Sequence, residues 1–494
     1  MELFSSFAPS SFDFQMALLA IILMTLGTLY VLGFLSFNLN PWKKLPQGSS
    51  FIGDFIGFHT AMKAGKNGEW IRSRIRKYGP VFKSCVMGSH IAILTGQSGN
   101  KFILTTSDGI ASDDAPAVTT ILGRKSLIGV EGSRHKLLKG AVMNMLKPER
   151  LQKFIGEMNS SIQRLLLQEL EGKDSVKLVS LSRRVIFAVT CTIVLGLPED
   201  SVGENSLRLE DLLTTSQGLI ALPFNIPGML FAKACKARAK ICKVIYNIIM
   251  ARKLKMEEEK TCSQDDIVAS FINIRDEEGK PLSDEEIVDN LLTLLIASND
   301  TTSSLLSMFL RHLGNDAHVY NQVFEEQKEV AKAREGSPVD GKLIWNETQS
   351  MKYSWRVAQE IMRFSPPSVG NFRIATKDMK YGGFDIPKGW RMLWVASPTH
   401  NDPDIFEEPE KFNPSRFEGP SIAPFTYVPF GGGVRICPGN GFARTTVLLV
   451  IHHLLTNYRW TPMIHDEPIS TNPVPFPAMD LPVKLHPIVD KFSS

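Results

Sequence analysis

The stretch Phe430-Gly431-Gly432-Gly433-Val434-Arg435-Ile436-Cys437-Pro438-Gly439 decides the reading of this chain. Three consecutive glycines let a backbone approach a flat ligand closely and take up dihedrals that other residues refuse. Pro438 suits the first turn of a helix, and an apolar helical run does follow, through Phe442 and Ala443 to Leu455. That predicts Cys437 at a helix N-terminus, where the dipole and free amides favour a thiolate. A soft anionic sulfur so placed is a good ligand for haem iron, and its electron donation favours O–O cleavage. Arg435, two residues earlier, is placed to reach a haem propionate. A lone cysteine is more often a small buried hydrophobe, which is the expectation for Cys85, Cys191 and Cys242.

As a whole the segment resembles the haem-binding signature of the cytochrome P450 family at every defining position: Phe430, Gly433, Arg435, Cys437 and Gly439. The resemblance implies haem b, with Cys437 as axial ligand of its iron. It also implies that family's mostly α fold with a smaller β-rich part.

Glu360 and Arg363 stand three apart in an apparent helix that Ser365-Pro366-Pro367 must end, so their side chains share one face. Alone, such a pair is usually a surface contact of little consequence. Its place ahead of the cysteine loop, with Asn413-Pro414-Ser415-Arg416-Phe417 between, resembles the family's Glu-x-x-Arg element and its partner arginine. The resemblance implies a buried network of Glu360, Arg363 and Arg416 with a structural role.

Ser283-x-x-Glu286 reads as a capping box, and the apolar pattern behind it runs to Gly314, a helix of about 30 residues. In its middle lies Ala297-Ser298-Asn299-Asp300-Thr301-Thr302-Ser303-Ser304. Polar side chains inside a buried helix cost free energy unless bonded or used, and the bland alternative is one solvated face. Ala297 to Thr301 resembles the family's oxygen-activation motif, which implies Thr301 as hydroxyl donor and Asp300 as the acid of a proton relay. Ser298 stands where that motif usually has glycine.

His135-Lys-Leu-Leu-Lys139 occupies a position where relatives carry an aromatic and a basic residue one helical turn apart for a propionate. Lys139 would act there as a point charge rather than a bidentate fork. Arg373 is a further propionate candidate by resemblance, and His135 reads equally as a surface histidine. Arg134 and Lys136 could receive an acidic reductase face, although a solvated surface explains them as well.

With 494 residues, 43% hydrophobic and 21% charged, the chain can bury a large core. A net charge of +4 and no basic block interleaved with aromatics argue against a nucleic-acid partner. Six cysteines without paired spacing argue against a disulfide framework or structural zinc. No linker or repeat follows residue 50, so residues 51–494 read as one cytosolic catalytic domain.

From Phe14 to Asn40 there is no charge, and residues 14–37 read as a transmembrane anchor long enough for about 30 Å of hydrocarbon. A cleaved signal peptide would carry its positive flank earlier, whereas Lys43 and Lys44 follow the apolar run. Residues 1–13 then lie in the lumen and residues 38–50 form a basic, proline-bearing, non-helical hinge at the endoplasmic reticulum membrane.

Met351-Lys-Tyr-Ser-Trp-Arg-Val-Ala-Gln-Glu360 and Ile386-Pro-Lys-Gly-Trp-Arg391 look like plant enzymes that oxidise triterpenes, taxane-type diterpenes and steroid hormones. The resemblance implies a lipophilic terpenoid substrate, dioxygen, and NADPH electrons from NADPH-cytochrome P450 reductase. Leu294, Ala297, Ser298, Val369, Phe372 and Phe476 are pocket candidates by family position, each as plausible in core packing. A haem-thiolate isomerase or dehydratase, or a non-catalytic haem protein, would share the cysteine loop.

Overall fold

In a computed structural model the described residues are 24–25, 27–28, 44–48 and 51–488 except 87–88, 114, 198–206, 260–265, 334–342, 420 and 472–473. Nearly all of the anchor reading, residues 14–37, therefore lies outside the described residues. Of the expected hinge, residues 38–50, only 44–48 fall among the described residues. That segment is non-helical, but it is pinned to strands rather than hanging free. The Lys44 amide donates to Asp385 Oδ2 at 2.7 Å, and the Lys83 amide donates to the Gln47 carbonyl at 2.8 Å.

Helices dominate, and one of them organises the rest. The central helix, Asp284–Asn315, starts at the capping box read from sequence: Ser283 Oγ accepts from the Glu286 amide, and Glu286 Oε2 accepts from the Ser283 amide at 2.9 Å. Three acidic residues in its first turn complement the helix dipole. It packs against the helices Leu178–Leu195, Leu230–Glu259, Lys352–Phe364 and Asn440–Leu455, the last being the one behind the cysteine loop. Most of the polar run is absorbed locally. Ser303 and Ser307 bond back to the Asn299 and Ser303 carbonyls at 2.6 and 2.7 Å, and Ser304 reaches the Pro475 carbonyl at 2.6 Å.

Leu178–Leu195 is long and apolar enough to cross a membrane, yet 78% of it is buried inside the protein. A helix apolar on every side is here the core partner of the central helix. The β-rich part is a five-stranded sheet in the order Val81–Val86, Ser89–Leu94, Arg391–Val395, Gly370–Ala375, Ile110–Ser112. Its pairs are antiparallel except Ser89–Leu94 with Arg391–Val395. Small sheets and hairpins complete it.

Candidate active site

The cysteine loop closes on itself: the Cys437 amide donates to the Phe430 carbonyl at 3.0 Å. Gly433 has φ +61, and a Cβ on it would overlap the Leu104 carbonyl, so no other residue fits there without displacing backbone. The helix starts later than the sequence suggests. Asn440–Leu455 is capped by Gly439, and Pro438 sits in the turn before it, leaving Cys437 two residues ahead of the cap. The thiol still meets a free amide, because the Gly439 N–H donates to Cys437 Sγ at 3.4 Å. Burial raises the thiol's pKa, while this amide and Lys139 oppose the rise. Although protein atoms crowd it, the Cys437 side chain is accessible.

Four nitrogen bases converge beside it on a cavity of about 570 Å³: His135, Lys139, Arg373 and Arg435. Lys139 Nζ donates to the Val434 carbonyl at 2.6 Å, and Arg435 donates to the Leu127 and Val130 carbonyls at 3.1 and 2.7 Å. Burial, then Arg435 and Lys139, pushes His135 down to about 4, so it is neutral at pH 7. Burial and then Arg435 lower Lys139 and Arg373 as well. Glu131, 3.3 Å from Arg435, offsets part of this repulsion, and the excess of cations in a half-buried cavity still fits a haem's two propionates. His135 is buried, not the surface histidine that the sequence left open. Arg134 is taken up by Glu286 at 2.5 Å and Asp276 at 3.4 Å, whereas Lys136 is exposed.

On the central helix, Ala297 and Thr301 are exposed while the residues around them are buried or half-buried. They stand one turn apart on one face, an accessible strip in an otherwise buried stretch of the helix. Thr301 Oγ1 donates to the Ala297 carbonyl at 2.7 Å, leaving its lone pairs free to accept. Asp300 turns elsewhere. Ser216 Oγ donates to its carboxylate, Arg183 lies near it, and burial raises its pKa against both. Sequence reasoning missed Ser216 and Arg183, which belong to other helices and carry no local motif.

Ser298 lies off that strip. Its hydroxyl bonds the Leu294 carbonyl at 2.7 Å and Thr190 Oγ1 at 3.2 Å, joining two helices. Phe476 is buried in the main core under the Arg183 guanidinium, 4.2 Å from the ring centroid. Leu294 packs half-buried on the same core, and Phe372 packs on the cluster around Trp70 and Phe82. Val369 lines a separate recess with Arg72 and Pro475.

Behind the loop, Glu360 and Arg363 are wholly buried and bidentate, at 2.8 and 2.9 Å. Arg416 adds a bond of 2.9 Å to Glu360 Oε1, which also accepts from the Asn413 amide at 2.9 Å. Arg363 caps the His400 carbonyl at 2.8 Å. His400, which the sequence did not single out, is held neutral by burial at about 3 and accepts the Val428 amide at 3.0 Å.

Residues 44–485 match the family model described as Cytochrome P450. A β-amyrin 28-monooxygenase of Saponaria officinalis is 35% identical over 450 residues, 90% of this chain and 92% of that one. A protopanaxadiol 6-hydroxylase of Panax ginseng is 36% identical, over 92% and 96%. A taxoid 14-beta-hydroxylase of Taxus cuspidata is 33% identical, over 89% and 86%. Among solved structures, the retinoic acid-bound cyanobacterial CYP120A1 superposes with a TM-score of 0.78 at 29% identity, over 90% of this chain and all of that one.

Proposed function

This chain belongs to the cytochrome P450 family and is a haem-dependent monooxygenase, and on that premise we propose that it hydroxylates a polycyclic terpenoid, a triterpene or diterpene. The observation that carries the reading is the pair Ala297 and Thr301, exposed one turn apart in an otherwise buried or half-buried stretch of the central helix and presenting one hydroxyl. Relatives named for β-amyrin, protopanaxadiol and taxoid oxidation support the substrate class.

Haem, when bound, supplies dioxygen activation and C–H oxidation. Cys437 would hold the haem iron through its sulfur, and Phe430, Gly433 and Gly439 shape the loop that presents that sulfur. Arg435, Lys139, Arg373 and His135 would hold the propionates, with Lys139 keeping two donors beyond its bond to Val434. Thr301 Oγ1 accepts from a proton donor at the reacting face while its own proton is held by the Ala297 carbonyl, and it delivers that proton when the bond is exchanged. Asp300 is the acid behind the helix, its pKa raised by burial. Glu360, Arg363 and Arg416 fix the chain behind the loop. Ala297 contacts the substrate.

Electrons come from NADPH through NADPH-cytochrome P450 reductase, at the endoplasmic reticulum membrane with the catalytic domain cytosolic. Exposed Ile220, Leu222, Phe224, Ile226, Met229 and Leu230 crowd one connection and support contact with lipid. The test is incubation of microsomes holding this chain and a reductase with a terpenoid panel, read by mass spectrometry. Hydroxylated product that requires both NADPH and dioxygen is expected. Turnover persisting anaerobically without NADPH would instead make it an isomerase or dehydratase.

A further inference from the structure

Residues 123–130, between the helices Pro116–Leu122 and Gly132–Met145, carry the two carbonyls that hold Arg435. That segment is gripped by the first two turns of the central helix. Asn290, 1% exposed, accepts the Leu127 amide at 2.8 Å and donates to the Lys125 carbonyl at 3.1 Å. Asp289 accepts the Lys125 amide and lies so close to Gly123, φ +90, that a Cβ there would overlap its carboxyl group. Its other partner is Arg238 of the Leu230–Glu259 helix, at 2.7 Å, and Arg238 also donates to the Ile121 carbonyl at 2.9 Å.

We propose that Arg238, Asp289 and Asn290 form a clasp that sets the position of Arg435 through the 123–130 segment, so that movement of the Leu230–Glu259 helix is felt at the haem propionates. The three are positioning residues and touch no reacting atom. Asp289 and Asn290 each bond backbone of the same segment, so the segment can shift only if both let go. Arg238 is the component on a different helix, and it holds Asp289 in place with a partly exposed charge pair. Release of the segment takes both carbonyl acceptors from Arg435 and leaves the half-exposed Glu131 carboxylate, at 3.3 Å, among its partners, so the guanidinium shifts outward toward that carboxylate. A cation moved away from the iron stabilises the reduced state less, so the reduction potential falls.

The test uses the full haem-loaded chain without substrate, so its outcome does not depend on which terpenoid is oxidised. Arg238→Ala and Asn290→Ala are compared with the parent by hydrogen exchange and redox titration, after the carbon monoxide band has confirmed thiolate-ligated haem. Amides of residues 125–130 are expected to exchange about tenfold faster, with a lowered midpoint potential. Arg238→Lys recovers most of both changes. Lys240→Ala, on the same helix but paired with Asp211 at the surface, changes neither. Unchanged exchange in Arg238→Ala overturns the clasp, and faster exchange at an unchanged potential overturns its coupling to Arg435.

Discussion

The Ser216 hydroxyl donates to the Asp300 carboxylate, joining the helix Leu209–Gln217 to the middle of the central helix. Burial raises the Asp300 pKa, and the Ser216 bond and Arg183 pull it back. A carboxyl raised in this way favours the folded state at low pH, and that contribution is lost as pH rises through its folded pKa. The same sign applies to its use as an acid. Product formation is expected to fall on the alkaline side, and Ser216→Ala, which removes a bond to the ionised form, is expected to move that limb to higher pH. Asp300→Asn should slow product formation by about 10²-fold and flatten the limb. The pH profile of product per NADPH decides this, and an unmoved limb in Ser216→Ala would sink it.

Thr301→Ala removes the one hydroxyl on the accessible strip of the central helix. NADPH consumption should continue while product per NADPH falls by about tenfold or more, the difference emerging as reduced oxygen species. Thr301→Ser, which keeps the donor, should retain most of the coupling. Parallel assays of NADPH, peroxide and product measure it.

Glu360→Gln leaves Arg363 and Arg416 facing a neutral amide in a site where Glu360 and Arg363 are 0% exposed. Breaking such a buried pair costs roughly 3–5 kcal/mol. The melting temperature and the haem content of the purified protein should both drop sharply, and a variant that melts with the parent would refute the structural role.

Ser298→Gly restores the residue usual in the motif. Because the Ser298 hydroxyl bonds Thr190, off the strip of Ala297 and Thr301, the change should cost about 1–2 kcal/mol of stability, from the helix glycine and the lost bond. Product identity and coupling should stay as they are. Altered regiochemistry would show that Ser298 shapes the pocket after all.

The sequence by itself determined those features whose chemistry is local. A loop of glycines, Arg435 and Cys437 points to the family without any contact being known, because backbone freedom and a candidate ligand atom lie within ten residues. The capping box at Ser283 and the stop at Pro366 are equally local, and both helix ends fall within a residue of their reading. Direction on a helix surface was legible for Ala297 and Thr301 but not for Ser298, whose orientation depends on Thr190 in a separate helix.

What only the tertiary structure decided is which distant groups meet. Arg183 and Ser216 reach Asp300, His400 joins the Glu360 network, and Asp289 with Asn290 grips the segment that holds Arg435. Each of these pairings lies between segments far apart in the chain, and no periodicity or spacing encodes them. At the cysteine loop the candidate ligand atom stands in the residues themselves, while the start of the helix behind Cys437, at Asn440 and not at Pro438, was settled by how the turn packs.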